Sequence, residues 1–219
     1  MKQRSREWFE ARRGKFTSSE IHKLMGIKGL GKTGETYAFE KACEIVFGID
    51  EDANFESFDM QRGTELESYA FEKFKSIMSL EFVEVETEGF VILNENTGTS
   101  PDGLVGKNDL VEIKCPRPNK FFNLLANGES AIDGNYIYQM QHQLMCTGRK
   151  VNYFFNYIIF NGVELHCIIP VKRNDTIIDT VKIRINEAVI LRDKFVALLR
   201  NNAEKQGLNK EIEILTQIN

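Results

Sequence analysis

The stretch Leu110-Val111-Glu112-Ile113-Lys114-Cys115 constrains this chain more than any other. It alternates with the period of two that belongs to a β-strand, so Val111, Ile113 and Cys115 share one face while Glu112 and Lys114 share the other. The apolar face needs a core to cover it. Two charges on an otherwise apolar strand cost desolvation energy unless partners lie close by. Ser100-Pro101-Asp102-Gly103 forms a turn just upstream, and Asp102, returning over the hairpin, is the expected third member of the group. Paired carboxylates from neighbouring strands are hard oxygen donors suited to Mg²⁺ or Mn²⁺, and a lysine beside them can orient a water and stabilise charge at a phosphate. The plainer alternative is a surface hairpin carrying a solvated Glu–Lys pair, which is a common feature of sheets.

The rest of the chain supplies a fold for such a strand. Thr17-Ser18-Ser19-Glu20 reads as the N-cap and first turn of a short helix that stops at Gly26. Gly26 to Gly34 reads as a glycine- and lysine-rich loop. Helical spacing of apolar residues follows over Thr36 to Phe47 and over Gly63 to Met78. From Phe82 the period changes, and Phe82 to Glu86, Phe90 to Leu93 and Leu110 to Cys115 read as a three-stranded meander with turns at Glu88-Gly89, Asn94 to Gly98 and Lys107 to Asp109. After Pro116 and Pro118 helical patterning resumes, most clearly from Tyr136 to Cys146. Val151 to Phe160 and Val163 to Val171 pair around Asn161-Gly162, and Thr176 to Arg200 is a closing amphipathic helix. Helices, strands, a helix, two strands and a helix predict an α/β chain with a mixed central sheet flanked by helices, in one domain spanning residues 1–219.

Bulk properties exclude several classes. With 42% hydrophobic and 27% charged residues and only four prolines, the chain is neither disordered nor fibrous. No apolar run is long enough to cross a bilayer, and the charged N-terminus lacks the apolar segment of a secretion signal, so a cytoplasmic protein without membrane contact is expected. Cys43, Cys115, Cys146 and Cys167 are scattered without C-x-x-C pairs, which favours free thiols over disulfides, zinc or an iron–sulfur cluster. A net charge of −4 argues against a protein that coats nucleic acid, although it leaves room for a local basic groove.

The string from Ser100 to Pro116 is the PD-(D/E)-x-K signature, and its wording resembles the YqaJ-like viral recombinase family, which includes the phage lambda exonuclease. Three more blocks match in order: Trp8 to Glu20 (W-F-E-A-R-R-G-K-F-T-S-S-E), Arg62 to Ala70 (R-G-T-E-L-E-S-Y-A) and Tyr136 to Gln141 (Y-I-Y-Q-M-Q). The resemblance runs from about Trp8 to Lys172 and leaves residues 174–219 uncovered. It implies a restriction-endonuclease-like core and hydrolysis of linear duplex DNA, 5′ to 3′, leaving 3′ overhangs for a single-strand annealing protein. It further implies a ring-shaped homotrimer, a phage or prophage origin, and two Mg²⁺ ions per site. Carried over residue by residue, Asp102, Glu112 and the backbone carbonyl of Ile113 would bind metal, with Glu67 completing the acidic site. Glu65 would face solvent. Lys114 would position the attacking water. Gln139 would support the nucleophile, with Tyr136 one turn before it. Arg12 and Ser19 would hold a terminal 5′-phosphate, and the first turn of a helix independently suits an anion.

Other readings stay open at this level. On the same core, an endonuclease or a Cas4-like exonuclease would share the signature, although the cysteine spacing does not suit the cluster of the latter. From a different class, Gly26-Ile27-Lys28-Gly29-Leu30-Gly31-Lys32-Thr33 fits G-x-x-x-x-G-K-T and would mark a nucleotide-binding P-loop. Such a loop must follow a buried strand and open a helix. A segment read as helix precedes this one, so a basic loop touching DNA backbone is the favoured expectation.

Overall fold

The computed structural model describes residues 3–48 and 58–208, with side chains from Leu66 onward in the second stretch. Helix α1 (Arg6–Arg12) is capped by Ser5, whose Oγ accepts the Trp8 N–H at 3.3 Å. A two-residue strand β1 (Phe16–Thr17) leads into a 3-10 helix (Ser18–Leu24), followed by α2 (Gly31–Phe47) and α3 (Phe58–Leu80). Five short strands come next: β2 (Val85–Glu86), β3 (Val91–Asn94), β4 (Thr97–Thr99), β5 (Gly103–Val105) and β6 (Asp109–Lys114). Helices α4 (Pro118–Asn127) and α5 (Gly134–Thr147), strands β7 (Val151–Phe160) and β8 (Val163–Lys172), and the long α6 (Asp175–Lys205) complete the chain.

The main sheet runs β2-β5-β6-β7-β8. Only β6 and β7 are parallel, so the sheet is mixed, as expected. Its two faces are covered by different helices. Val111 and Ile113 of β6 and Phe155 and Tyr157 of β7 pack with Ala70 and Phe74 of α3. Phe154 of β7 packs on the opposite side with Met140 of α5 and Leu124 of α4. A third cluster joins the 3-10 helix, α2, α5 and α6 through Ile21, Ala38, Met145 and Val181. Burial of these apolar faces, rather than helix or strand propensity, fixes the layers. The architecture is a restriction-endonuclease-like α/β core.

Several expectations need correction. The meander of three strands is instead two sheets, because β3 pairs with β4, and β4 with β1, in a separate three-stranded unit. The segment Asn94 to Gly98 was expected as a turn, yet β4 begins at Thr97, where buried Thr97 and Thr99 pay no solvent exposure for their polar groups because both hydrogen-bond. The first-turn helix after Thr17 is a 3-10 helix, and Thr17 makes no side-chain cap bond. The loop expected over Gly26 to Gly34 ends early, since α2 opens at Gly31 and Gly34 packs tightly under Leu30 and the Lys23 carbonyl. The β7–β8 hairpin turns where expected: Asn161 and Gly162 adopt φ of 51° and 77°, the left-handed pair that a two-residue turn requires.

Candidate active site

Register brings the signature together. The β5–β6 ladder pairs Gly103 with Val111, and one step further places Asp102 opposite Glu112. Gly103 allows this close return, because a Cβ there would lie 2.9 Å from Val111 and 3.1 Å from Phe71 of α3. Asp102 Oδ2 accepts the Ile113 backbone N–H at 2.6 Å, which fixes the carboxylate against β6. Lys114 donates its Nζ to Glu112 Oε1. The odd residues of β6 enter the core, so Glu112 and Lys114 face α5, as the alternation predicted.

Glu112 is only 1% exposed, and three donors offset that burial. Besides Lys114, Gln139 Nε2 reaches Oε1 at 2.6 Å and Gln143 Nε2 reaches Oε2 at 2.6 Å. Gln143 in turn accepts the Asn152 Nδ2 at 2.6 Å. Gln139 thus lies against the Glu112 carboxylate, and Gln143 and Asn152, which the sequence reading did not name, join it there. Their signal was the i, i+4 spacing of Gln139 and Gln143, which puts both on one face of α5. Gln141, also within the matched block, is structural: it ties α5 to β8 and α6 by accepting the Asn174 N–H at 2.7 Å and donating to the Lys172 carbonyl at 2.8 Å.

Charge crowding marks the same place. Burial, then the charge of Glu112, holds the Asp102 carboxyl well above the usual carboxylate range, against the pull of Lys114. Glu67 on α3 is raised by burial, with Lys114 and Arg4 opposing and Glu112 adding to the rise. Burial alone would lower the Lys114 pKa, but Glu112 and Asp102 outweigh it and keep the ammonium charged. Lys114 lies 5.3 Å from the ring centroid of Tyr136. Glu65 lies outside the described side chains.

A cleft of about 920 Å³ opens beside this group, and Glu67, Ile113, Lys114, Tyr136 and Asn156 line it. Asn156 is fully buried on β7, next to Lys114 across the parallel ladder, and its Oδ1 has no hydrogen-bond partner among the described residues. It offers an acceptor to whatever enters.

Among the described residues no three His, Cys, Asp or Glu side chains converge into a ready metal cage. Glu67 is thus near enough to feel the other charges without closing such a cage. Asp102 and Glu112 with the Ile113 carbonyl remain a hard oxygen set whose mutual repulsion a divalent cation would relieve. This suits Mg²⁺, which keeps waters and substrate phosphates in its shell rather than demanding an all-protein cage. Among the described residues the four cysteines form no disulfide and do not gather: Cys115, Cys146 and Cys167 belong to different packing clusters.

Arg12 and Ser19 flank Thr17 and Ser18, and Ser18 contacts His142 of α5. The Arg12 guanidinium stacks on Trp8 at 4.0 Å and donates to the hydroxyls of Ser100 (3.4 Å) and Thr17 (3.2 Å). Trp8 Nε1 also donates to Ser100 Oγ at 2.7 Å, so Ser100, two residues before Asp102, joins the two regions. Burial lowers the Arg12 pKa, and no carboxylate forms an ion pair with it among the described residues. Ser19 is exposed on the first turn of the 3-10 helix. The P-loop reading loses its context, because a 3-10 helix and not a strand precedes Gly26.

The fold and the Asp102–Glu112–Lys114 geometry define the PD-(D/E)-x-K class. Residues 7–150 match the model of the YqaJ-like viral recombinase domain, and the chain belongs to that family. Among solved structures it is similar to an alkaline exonuclease (LHK-Exo) from Laribacter hongkongensis, with 28% identity and a TM-score of 0.80 over 92% of this chain and 100% of that one. The same protein in complex with dAMP matches with a TM-score of 0.79 and 28% identity, at the same coverage. A phage-related exonuclease from Haemophilus somnus 129PT shares the fold at 18% identity, with a TM-score of 0.67 over 84% of this chain and 96% of that one. No curated protein matches the sequence. No helix among the described residues is long and apolar enough to cross a membrane.

Proposed function

We propose that this chain is a Mg²⁺-supported DNA exonuclease that degrades one strand of linear duplex DNA from its 5′ end. The observation that carries the reading is the convergence of Asp102, Glu112 and Lys114 at β6 beside the cleft that Lys114 lines, with Gln139 reaching the Glu112 carboxylate from α5. Family membership and the likeness to an alkaline exonuclease support it. When bound, Mg²⁺ (or Mn²⁺), as one or two ions, supplies Lewis-acid stabilisation of the phosphate oxygens. Asp102, Glu112 and the Ile113 carbonyl would hold it, with Glu67 at the edge. Lys114 orients the attacking water and offers positive charge to the phosphate. The water oxygen bonds to phosphorus, the bond from phosphorus to the 3′-oxygen breaks, and that oxygen leaves with a proton as the 3′-hydroxyl of a released nucleotide.

Arg12 and Ser19 serve as the anchor for the terminal 5′-phosphate. Each cut leaves a new 5′-phosphate on the shortened strand, so the product end regenerates the group that the anchor recognises. The dAMP complex of the Laribacter enzyme accords with release of single 5′-nucleotides. On this reading the enzyme works as a homotrimeric ring around DNA in the cytoplasm of a host cell, and passes its 3′ overhang to a single-strand annealing protein; sedimentation of the purified chain tests the ring.

The decisive experiment incubates the protein and Mg²⁺ with linear duplex DNA labelled at either end, beside a closed circle. Progressive loss from 5′ ends with the circle intact is expected, faster on 5′-phosphate than on 5′-hydroxyl ends at fixed salt. Asp102→Ala and Lys114→Ala abolish it. Substantial activity in Asp102→Ala overturns the assignment, and equal rates on both kinds of end remove the anchor.

A further inference from the structure

His142 is fully buried in α5 and is not among the described residues that line the cleft, yet it completes a chain of hydrogen bonds. The Thr97 hydroxyl donates its one hydrogen to the Phe16 carbonyl at 2.6 Å, and a carbonyl can only accept. At its 2.8 Å contact with His142, Thr97 Oγ1 must therefore accept, so the ring carries its hydrogen on Nε2. The neutral ring then accepts on Nδ1, from the Ser18 hydroxyl at 2.6 Å. Ser18 Oγ also lies 2.7 Å from Thr99 Oγ1, a second hydroxyl contact at the same serine. Burial disfavours the charged ring, and the neutral ring that fits the Thr97 contact carries its hydrogen on Nε2.

The position of this ring matters because of what lies on each side. Gln139 and Gln143, its neighbours on α5, hold the two oxygens of Glu112. Ser18 lies between Thr17, which accepts from Arg12, and Ser19. Thr97 sits on β4, which pairs with β1 and so also fixes the approach to Thr17. One helix thus grips the hydrolytic carboxylate with two glutamines and the anion-binding block with one histidine.

We infer that His142 is a positioning residue that sets the distance between the 5′-phosphate anchor and the hydrolytic centre, and thereby how many nucleotides each cut releases. The inference rests on the anchor reading above. Buried hydrogen bonds on both ring nitrogens define a single ring position, whereas an apolar replacement leaves Ser18 and Thr97 free to shift. A shift of the anchor changes which phosphodiester lies beside Lys114.

The test compares wild type, His142→Ala, His142→Gln, Ser18→Ala and the double variant, each checked for folding by its melting curve. Two readouts are taken with Mg²⁺: the ratio of kcat/KM on 5′-phosphate and 5′-hydroxyl ends, and the length of the released products. In His142→Ala and Ser18→Ala the ratio falls about tenfold, the order expected for losing one such bond, and dinucleotides or longer fragments join the mononucleotides. His142→Gln, which can still accept and donate, restores most of both. The double variant is no worse than either single one. A folded His142→Ala or, where that variant does not fold, a folded Ser18→Ala that keeps the wild-type ratio and releases mononucleotides alone overturns the inference while leaving the anchor intact. A wild type that ignores the 5′-phosphate overturns the anchor, and this inference falls with it.

Discussion

Replacing Gln143 by leucine isolates the part of the site that holds a charge from the part that reacts. Gln143 is fully buried and makes two bonds of 2.6 Å, donating to Glu112 Oε2 and accepting from Asn152. Leucine keeps much of the volume and removes both. A hydrogen bond to a charged group contributes about 1.5–3 kcal/mol, and a buried donor left unpaired, here Asn152 Nδ2, costs about 1–3 kcal/mol. The two losses share one side chain and some relaxation, so the expected destabilisation is about 2–4 kcal/mol rather than the full sum. For a chain of this length that corresponds to roughly 5–15 °C in Tm. Urea unfolding in EDTA measures it without added metal. Repeating the substitution in a Glu112→Gln background tests the cause, because with the charge gone about half of the penalty disappears. A loss below about 0.5 kcal/mol, or an equal loss in both backgrounds, refutes the claim that Gln143 stabilises the buried carboxylate.

Three further outcomes follow from the same geometry. Lys32→Ala leaves hydrolysis intact, since Lys32 is an exposed first-turn residue of α2 behind a 3-10 helix; complete loss of activity would revive the P-loop reading. Asp102 has a raised folded pKa, so its ionisation costs stability as pH rises from its unfolded value through its folded one; Asp102→Asn is expected to melt higher than wild type at neutral pH in EDTA, and Mg²⁺ to stabilise wild type but not the variant. Burial pushes the His142 pKa down to about 3 from 6.5, so only the unfolded chain gains this proton between those values; wild type loses about 3 kcal/mol of stability from this group between pH 7 and pH 4, a slope absent in His142→Gln.

How much of this was legible depended on whether the signal was local. Strand β6 was readable because alternation needs only six residues, and it correctly put Glu112 and Lys114 on one face. The β7–β8 hairpin was readable from Asn161-Gly162, where φ demands those residue types. By contrast, β1, β4 and β5 span two or three residues each, too few for a period, and their Thr and Gly content reads as turn. The partners of buried Thr97 and Thr99 are Phe16, Ser18 and His142, each more than forty residues away, so no window around β4 contains its reason. Gln143 was hidden in the same way: a glutamine on a helix reads as a solvated residue until β6 delivers a carboxylate from 31 positions upstream.

The same distinction explains why the anchor was harder to derive than the hydrolytic centre. An expected α-helical first turn behind Thr17 supplied the physical case for an anion site, and the structure has a 3-10 helix there, whose short run gives little dipole. What replaces that argument is a guanidinium held by tertiary contacts: Arg12 lies over Trp8, touches Ser100 from the turn before Asp102, and is partly buried, with Glu44 and Glu20 acting on it only through their more distant charge. Burying a cation in that state is costly unless an anion completes it. A terminal phosphate is such an anion, and Ser100 joins its proposed seat to Asp102, the proposed metal ligand just ahead of β5. The proposed anchor and the proposed reacting centre are therefore parts of one packed unit, tied through Ser100 on one side and through α5 on the other, so a change in either tie should alter end recognition and cleavage position together.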